Sequence, residues 1–233
     1  MSPLRILHVT PYSATAWSYG GIPRVVAALT REQARQGHHV TVCTTDAFSS
    51  TSRLAAPSNG FVAPLPHCPI APLAHCSTAP LPSAVVQERV FPNVSNWLAY
   101  HAQFFTPIGL NRYLRDHAHE FDVAHLHACR NLPGAIAAHH LRRAGVPFIL
   151  APNGTAPRLE RRFLAKRIAD RLFADRMLRD AARVIAVSEA ERRQLLALGV
   201  DESRIRVIPN PVDLEEFEEP IAHGRFLSST AQV

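Results

Sequence analysis

The sequence predicts an α/β domain, a doubly wound, mostly parallel sheet with helices on both faces. Two observations predict it. Short apolar segments alternate with amphipathic, capped helical segments along most of the chain, the pattern of strands joined by helical crossovers. The polar and glycine-bearing junctions fall where a predicted strand hands over to the next helix, the edge at which such sheets take ligands.

The first strand is carried by Ile6, Leu7 and Val9 and leads through a loop to Gly20-Gly21. Pro23 then occupies the first turn of a helix, where its missing N–H costs nothing. Val25, Val26 and Leu29 give this helix an apolar side, and Gly37 stops it. A second strand begins at Val40. Residues 46–82 hold seven prolines and read as a long loop. Residues 87–91 form a short strand. Trp97, Leu98, Phe104 and Phe105 indicate helix before Pro107, and residues 110–117 another after it. Residues 121–126 are a strand that runs into His127, and residues 131–144 a helix closed by Gly145. Residues 147–151 are a strand ending in Pro152-Asn153-Gly154-Thr155, followed by a long amphipathic helix over about 157–180. Residues 183–187 form the next strand. Ser188 caps a helix with Glu191 as its capping-box partner, and Gly199 ends it. Residues 204–208 are the last strand, before Pro209-Asn210-Pro211. This is a Rossmann-like order, with Gly20-Gly21, His125-Leu126-His127, Asn153-Gly154-Thr155 and Ser188-Glu189 at strand ends.

A chain of 233 residues easily buries a core. No apolar run is long enough to span a bilayer, and the first residues make a poor signal peptide, so a cytoplasmic protein is expected. The formal charge is +6 and Lys166 is the only lysine. Arginine suits phosphate and anionic surfaces by its fork geometry. An arginine-rich codon bias is the preferred explanation of the charge, and no nucleic-acid partner is expected. Four cysteines are too few for a disulfide scaffold.

Gly20 and Gly21 stand just before a helix, where free N–H groups and the helix dipole favour an anion. They read as one wall of a substrate cleft facing a phosphate or a sugar. His125 and His127 share a side if the strand persists, because strand side chains alternate. Asn153-Gly154 is also an ordinary turn. His67-Cys68 and His75-Cys76 lack the short spacing of a zinc site, and no metal is expected. The 157–180 helix carries Arg158, Arg161, Arg162, Lys166, Arg167 and Arg171 opposite an apolar side. It is expected to pack on the sheet, with a membrane-surface helix as the alternative. The sequon Asn93-Val94-Ser95 carries no meaning in a cytoplasmic protein.

The chain resembles the N-terminal domain of family 4 glycosyltransferases, retaining enzymes of GT-B fold. The resemblance rests on His8-Val9-Thr10-Pro11-Tyr12, Gly20-Gly21-Ile22-Pro23-Arg24-Val25, Gly37-His38-His39-Val40-Thr41-Val42 and Asp122-Val123-Ala124-His125-Leu126-His127. It extends through Pro152-Asn153-Gly154-Thr155, Ala186-Val187-Ser188-Glu189 and Arg206-Val207-Ile208-Pro209-Asn210-Pro211-Val212-Asp213.

The resemblance implies one half of a GT-B fold, with residues 1–212 as the acceptor-side domain and residues 213–233 as hinge remnant or irregular tail. It places His127 in the catalytic cleft, and Gly20, Gly21 and Arg24 by the donor's diphosphate or sugar. Asn153, Gly154, Thr155, Ser188 and Glu189 would line the acceptor side or the cleft, and Asn210 the interdomain hinge. It implies no cofactor, a nucleoside-diphosphate sugar as co-substrate, and a glycan or lipid-linked acceptor. Lipid-glycosylating relatives also lie on anionic membranes, so peripheral contact with the inner membrane face is a second expectation. The family's donor domain usually carries two glutamates separated by seven residues. No such pair occurs here, and no Asp-x-Asp. The chain is therefore expected to be a truncated product or one subunit of a split enzyme, with the donor-binding domain missing in cis or supplied in trans.

Two other functions compete. A dinucleotide oxidoreductase would use Asp46 on a ribose, but Gly20-Gly21-Ile22-Pro23 is not G-x-G-x-x-G. A non-catalytic half would bind an acceptor, a membrane or a partner subunit without turnover.

Overall fold

The computed structural model describes residues 2–49, 52–54, 86–156 and 175–212. The histidine–cysteine pairs at 67–68 and 75–76, most of the 157–180 helix and the 213–233 tail lie outside the described residues.

The strands are β1 (Arg5–Val9), β2 (His39–Thr45), β3 (Val86–Phe91), β4 (Val123–His127), β5 (Phe148–Ala151), β6 (Arg183–Ala186) and β7 (Ile205–Val207). They form one sheet of order β3-β2-β1-β4-β5-β6-β7, parallel throughout. The helices are α1 (Ile22–Arg35), α2 (Asn96–Ala102), α3 (Leu110–His117), α4 (Leu132–Ala144) and α5 (Glu189–Ala197). Residues 175–180 are helical too. The chain winds outward from β1 to β3, then returns to β4 beside β1. That reversal makes the carboxyl ends of β1 and β4 the topological switch point, where open α/β sheets bind ligands.

Register decides what each face buries. His8 pairs with Val42 and His125, so these side chains share a face, and Leu7 and Val9 point to the other. On the second face Leu7, Val9, Leu126, Phe148, Leu150 and Val184 meet Leu114, Leu141 and Met177 in the main apolar core. On the first face Val26 and Ala34 of α1 cover Val40 and Val42. Next to that small cluster the face becomes polar, with His8, His125 and His127 all buried.

The helix expected over residues 131–144 begins one residue later, at Leu132, and its stop is where the sequence places it. Asn131 caps α4 by accepting from the Gly134 N–H at 2.6 Å, and Gly145 closes it in a left-handed conformation. A Cβ on Gly134 would sit 2.7 Å from Met177 Cε, so this turn needs glycine to approach the helical residues 175–180. Met177 and Leu178 are buried in the main core, so the helical residues 175–180 pack on the sheet.

Several element boundaries differ from the sequence reading by a residue or two, and three of them have a visible cause. β2 begins at His39, because Arg5 pairs with it. The helix expected to reach Phe105 stops at Ala102, where Gln103 turns left-handed (φ 52°) and Phe104 N–H returns to the Leu98 carbonyl. The last strand starts at Ile205, because the Asp201 carboxylate accepts from Ser203 N–H and holds residues 202–204 in a 3₁₀ turn. Among the described residues no helix is long and apolar enough to cross a membrane.

Leu126 has no exposed surface and packs in the middle of the main core. Leu126→Ala is expected to destabilise the domain by about 2–5 kcal/mol, read by urea denaturation.

Candidate functional site at the switch point

Three imidazoles fill the space below the carboxyl ends of β1 and β4. His8 Nδ1 lies 2.9 Å from His127 Nε2, and His8 Nε2 lies 2.7 Å from the Gln33 Oε1 on α1. The His8 and His127 ring planes are 16° apart with centroids separated by 5.2 Å. That separation exceeds the N···N distance by two ring radii, so the rings meet edge to edge in an in-line N–H···N bond. His125 stacks on His127 at 4.1 Å. His125 Nε2 and His127 Nδ1 are buried without a hydrogen-bond partner among the described residues.

Burial sets the charge of this cluster. It pushes the His8 pKa down to about 4 and that of His125 down to about 3, the latter helped by repulsion from His8. His127 is held well below the ordinary histidine range by burial and by both neighbouring rings. All three are therefore neutral near pH 7. One ring nitrogen from each lies within 4.8 Å of the others, close enough for a transition metal to gather them. The His8–His127 bond, however, already joins two of the three rings to each other.

Above the cluster the strands end in cross-linked loops. Ala128 (φ 62°) and Arg130 (φ 60°) adopt left-handed backbone without being glycine, a strain that gathers at functional sites. The Asn131 carboxamide donates to the Ala128 carbonyl at 2.9 Å. The Thr155 hydroxyl accepts from Cys129 N–H at 2.6 Å and donates to the Pro152 carbonyl. Arg130 donates twice to the Ala156 carbonyl.

Glu191 closes the next junction. Ser188 Oγ accepts from Glu191 N–H at 3.2 Å, which is the expected cap. The Glu191 carboxylate does not return to Ser188, as a capping box requires, but accepts from Val187 N–H (2.8 Å) and Gly154 N–H (2.6 Å). It ties the β5 loop to the start of α5.

The other wall is the β1–α1 loop. Gly20 is left-handed (φ 95°) and needs glycine, whereas Gly21 is in an ordinary helical conformation. Both are exposed, and a Cβ on either would meet nothing within 4 Å. The loop is anchored underneath by Thr45 Oγ1 donating to the Pro11 carbonyl (2.6 Å) and by Ser13 Oγ donating to Glu88 (3.0 Å). Burial raises the Glu88 pKa. Tyr12 and Tyr19 pack with Ala47, Ala99 and Phe105, and burial lifts both phenols to about 12, so they stay neutral.

The structure thus brings Gly20, Gly21, His127, Asn153, Gly154 and Thr155 to one edge, with Ser188 at the neighbouring junction. Arg24 is exposed on the first turn of α1, Glu189 is exposed on α5, and Asn210 is exposed beyond β7. His127 has no exposed surface, so the sugar contact that the resemblance implies requires its Nδ1 to be uncovered. Thr155 spends its hydroxyl inside the loop. Asn153 is left-handed (φ 50°), and its carboxamide nitrogen is buried without a partner among the described residues. The sequence did not mark Gln33, Ala128 or Arg130, quoted His8 only within a motif, and placed Glu191 only in a capping box. His8 in an apolar strand, and Gln33 on the sheet-facing side of α1, were the signals. Asp46, the residue a ribose would need, is committed instead to Arg53 (3.1 Å) and Asn93 N–H (2.8 Å).

The sequence model of the family described as Glycosyltransferase Family 4 matches residues 19–216. Among solved structures, HepE of Anabaena in complex with UDP and glucose superposes with a TM-score of 0.59 at 15% identity, over 98% of this chain and 50% of that one. HepE in complex with UDP-glucose gives 0.57 at 16% identity, over 98% and 50%. A protein described as a UDP-N-acetylglucosamine 2-epimerase, from Listeria monocytogenes, gives 0.50 at 12%, over 99% and 52%. The chain spans about half the length of these structures, and at such identities the likeness establishes the fold. No curated protein sequence matches the chain.

Two outcomes test the site's physics. A histidine whose pKa is lowered on folding leaves stability intact above the unfolded value of 6.5 and removes it as pH falls, because the unfolded chain takes up the proton first. Each such histidine costs about 1.4 kcal/mol per pH unit between 6.5 and its folded pKa. Urea denaturation of the wild type should therefore show stability falling steeply from pH 6.5 toward pH 4, and less steeply in His125→Phe. Equal slopes would contradict the assignment of a neutral buried His125. Glu191→Ala should cost about 2–4 kcal/mol, since two backbone N–H groups lose a charged acceptor.

Proposed function

The chain belongs to Glycosyltransferase Family 4, and from that we propose that it is the acceptor-side half of a glycosyltransferase. In this reading the whole enzyme moves a sugar from a nucleoside diphosphate to a hydroxyl of a glycan or lipid acceptor, with retention of configuration. The donor-binding half acts in cis or in trans. UDP-glucose is the donor type with which to begin, because HepE binds it.

One observation carries the reading. The open Gly20-Gly21 turn and the cross-linked β4 and β5 loops flank the switch point, above a fully buried His127. In the transfer, the bond from the sugar's anomeric carbon to the diphosphate oxygen breaks, and a bond to the acceptor oxygen forms. The acceptor's proton leaves with the departing diphosphate or to solvent. The chain's contribution is to bind and orient. The positive end of the α1 dipole favours the negative charge that develops on the leaving diphosphate. A neutral His127 accepts a hydrogen bond rather than pairing with that charge.

A second reading has its own support. Val94, Trp97, Phe104 and Ile108 are exposed apolar side chains around α2. Such a surface suits a chain that binds a lipid-linked acceptor, a partner subunit or a membrane without turnover.

The chain alone is expected to release no UDP from UDP-glucose above background, and turnover would contradict the assignment of a half enzyme. Amide shifts induced by a panel of mono- and disaccharides should map to residues 20–21, 128–131 and 153–155. They should weaken at least several-fold in His127→Ala. Shifts confined to the opposite edge of the sheet would refute the site.

A further inference from the structure

We infer that Gln33 and His8 are positioning residues that fix which nitrogen of His127 carries its proton. The purpose of this device rests on the reading of His127 above, but its chemistry does not.

Gln33 stands on the stripe of α1 that holds Ile22, Val26 and Thr30, one to three turns along the same face. Val26 and Thr30 are buried on that stripe, so an amide occupies a place where an apolar side chain would pack. Its Oε1 can only accept, so the nitrogen 2.7 Å away, His8 Nε2, carries a hydrogen. A neutral imidazole has one N–H, which leaves His8 Nδ1 a bare lone pair. That lone pair lies 2.9 Å from His127 Nε2, which must therefore donate to it. His127 in turn has spent its single N–H, and its Nδ1 is bare.

The chain of bonds has a direction, and burial chooses it. Were the amide reversed, Gln33 would donate into His8, His8 into His127, and His127 would end in a buried Nδ1–H with no acceptor. Orphaned buried donors are rarer than under-used acceptors, and each costs about 1–3 kcal/mol. His125, stacked at 29° on His127, holds the ring plane. The left-handed Ala128 turns the backbone immediately after it.

The result is a ring that offers a lone pair and nothing else. It accepts from a hydroxyl or amide group and is repelled by the oxygens of a phosphate or carboxylate. Gln33 and His8 therefore select the class of ligand group that His127 tolerates, without touching the ligand.

The test is to read ring tautomers in the full chain with ¹⁵N-labelled histidine at pH 7, by two-bond nitrogen–proton correlation. The expected result is an Nε2–H tautomer at both His8 and His127, with a nitrogen–nitrogen coupling across the bond between them. Gln33→Met keeps the volume and removes the acceptor, so the tautomer ratio at His127 should fall about tenfold, the worth of one hydrogen bond. Gln33→Glu keeps an acceptor and should restore the wild-type tautomers. An Nδ1–H on His127 in the wild type would overturn the inference. So would an unchanged ratio in a folded Gln33→Met variant. Transfer of the three rings to a bound state by one equivalent of Zn²⁺ would also overturn it, in favour of a metal site. If Gln33→Met does not fold, the wild-type and Gln33→Glu spectra still decide. None of these outcomes depends on sugar transfer.

Discussion

A parallel sheet covered on both faces has no wet side, so every polar group placed between its strands and its helices must find a partner inside. Three imidazoles beneath α1 meet that constraint only in part, with one amide. His8 takes Gln33 on one side and His127 on the other, and His125 lies flat against His127. Two ring nitrogens remain without partners among the described residues. A core built only for stability would put leucine or valine here, as the opposite face of the same strands does with Leu7, Val9 and Leu126. The two faces of β1 and β4 therefore differ in chemistry. One face of β1 and β4 holds the sheet together, and the other carries polar groups toward the strand ends.

The loops above that face are tied to one another. Thr155 reaches the β4 loop, Arg130 reaches the β5 loop, and Glu191 reaches back from α5 to Gly154. Hydrogen bonds of this kind keep left-handed residues such as Ala128, Arg130 and Asn153 in place, because no single loop could hold that geometry alone. The opposite wall at Gly20-Gly21 is bare and exposed. Polar loops cross-linked to one another thus stand on one side of the switch point, and an exposed glycine turn on the other.

Most of the fold was legible because its signals are local. Capping at Ser188, the stops at Gly37 and Gly145, and the apolar strands each depend on a few adjacent residues. Boundaries failed where a side chain or a left-handed residue intervened, as at Gln103 and Asp201. The site was legible in its positions and not in its bonds. Gly20, Gly21, His127 and the 153–155 turn come together at the strand ends as the topology requires. The partnership of His8 with His127 spans 119 residues, and that of Gly154 with Glu191 spans 37. Neither can be read from spacing. What the sequence did show was a histidine in an apolar strand and a glutamine on the sheet-facing side of a helix, two polar residues in apolar positions that explain each other only in three dimensions.

If this polar face serves ligand recognition, as proposed, it does so at the expense of stability. Replacing a whole buried polar network by apolar groups of similar size is often neutral or stabilising, whereas removing one partner is not. The decisive measurement is therefore the urea stability and saccharide-induced amide shifts of the quadruple variant His8→Leu, Gln33→Leu, His125→Leu and His127→Leu. The account predicts a domain at least as stable as the wild type at pH 7 that has lost the shifts around residues 20–21, 128–131 and 153–155. A variant several kcal/mol less stable that keeps those shifts would show that the imidazoles serve the fold and that the ligand site lies elsewhere.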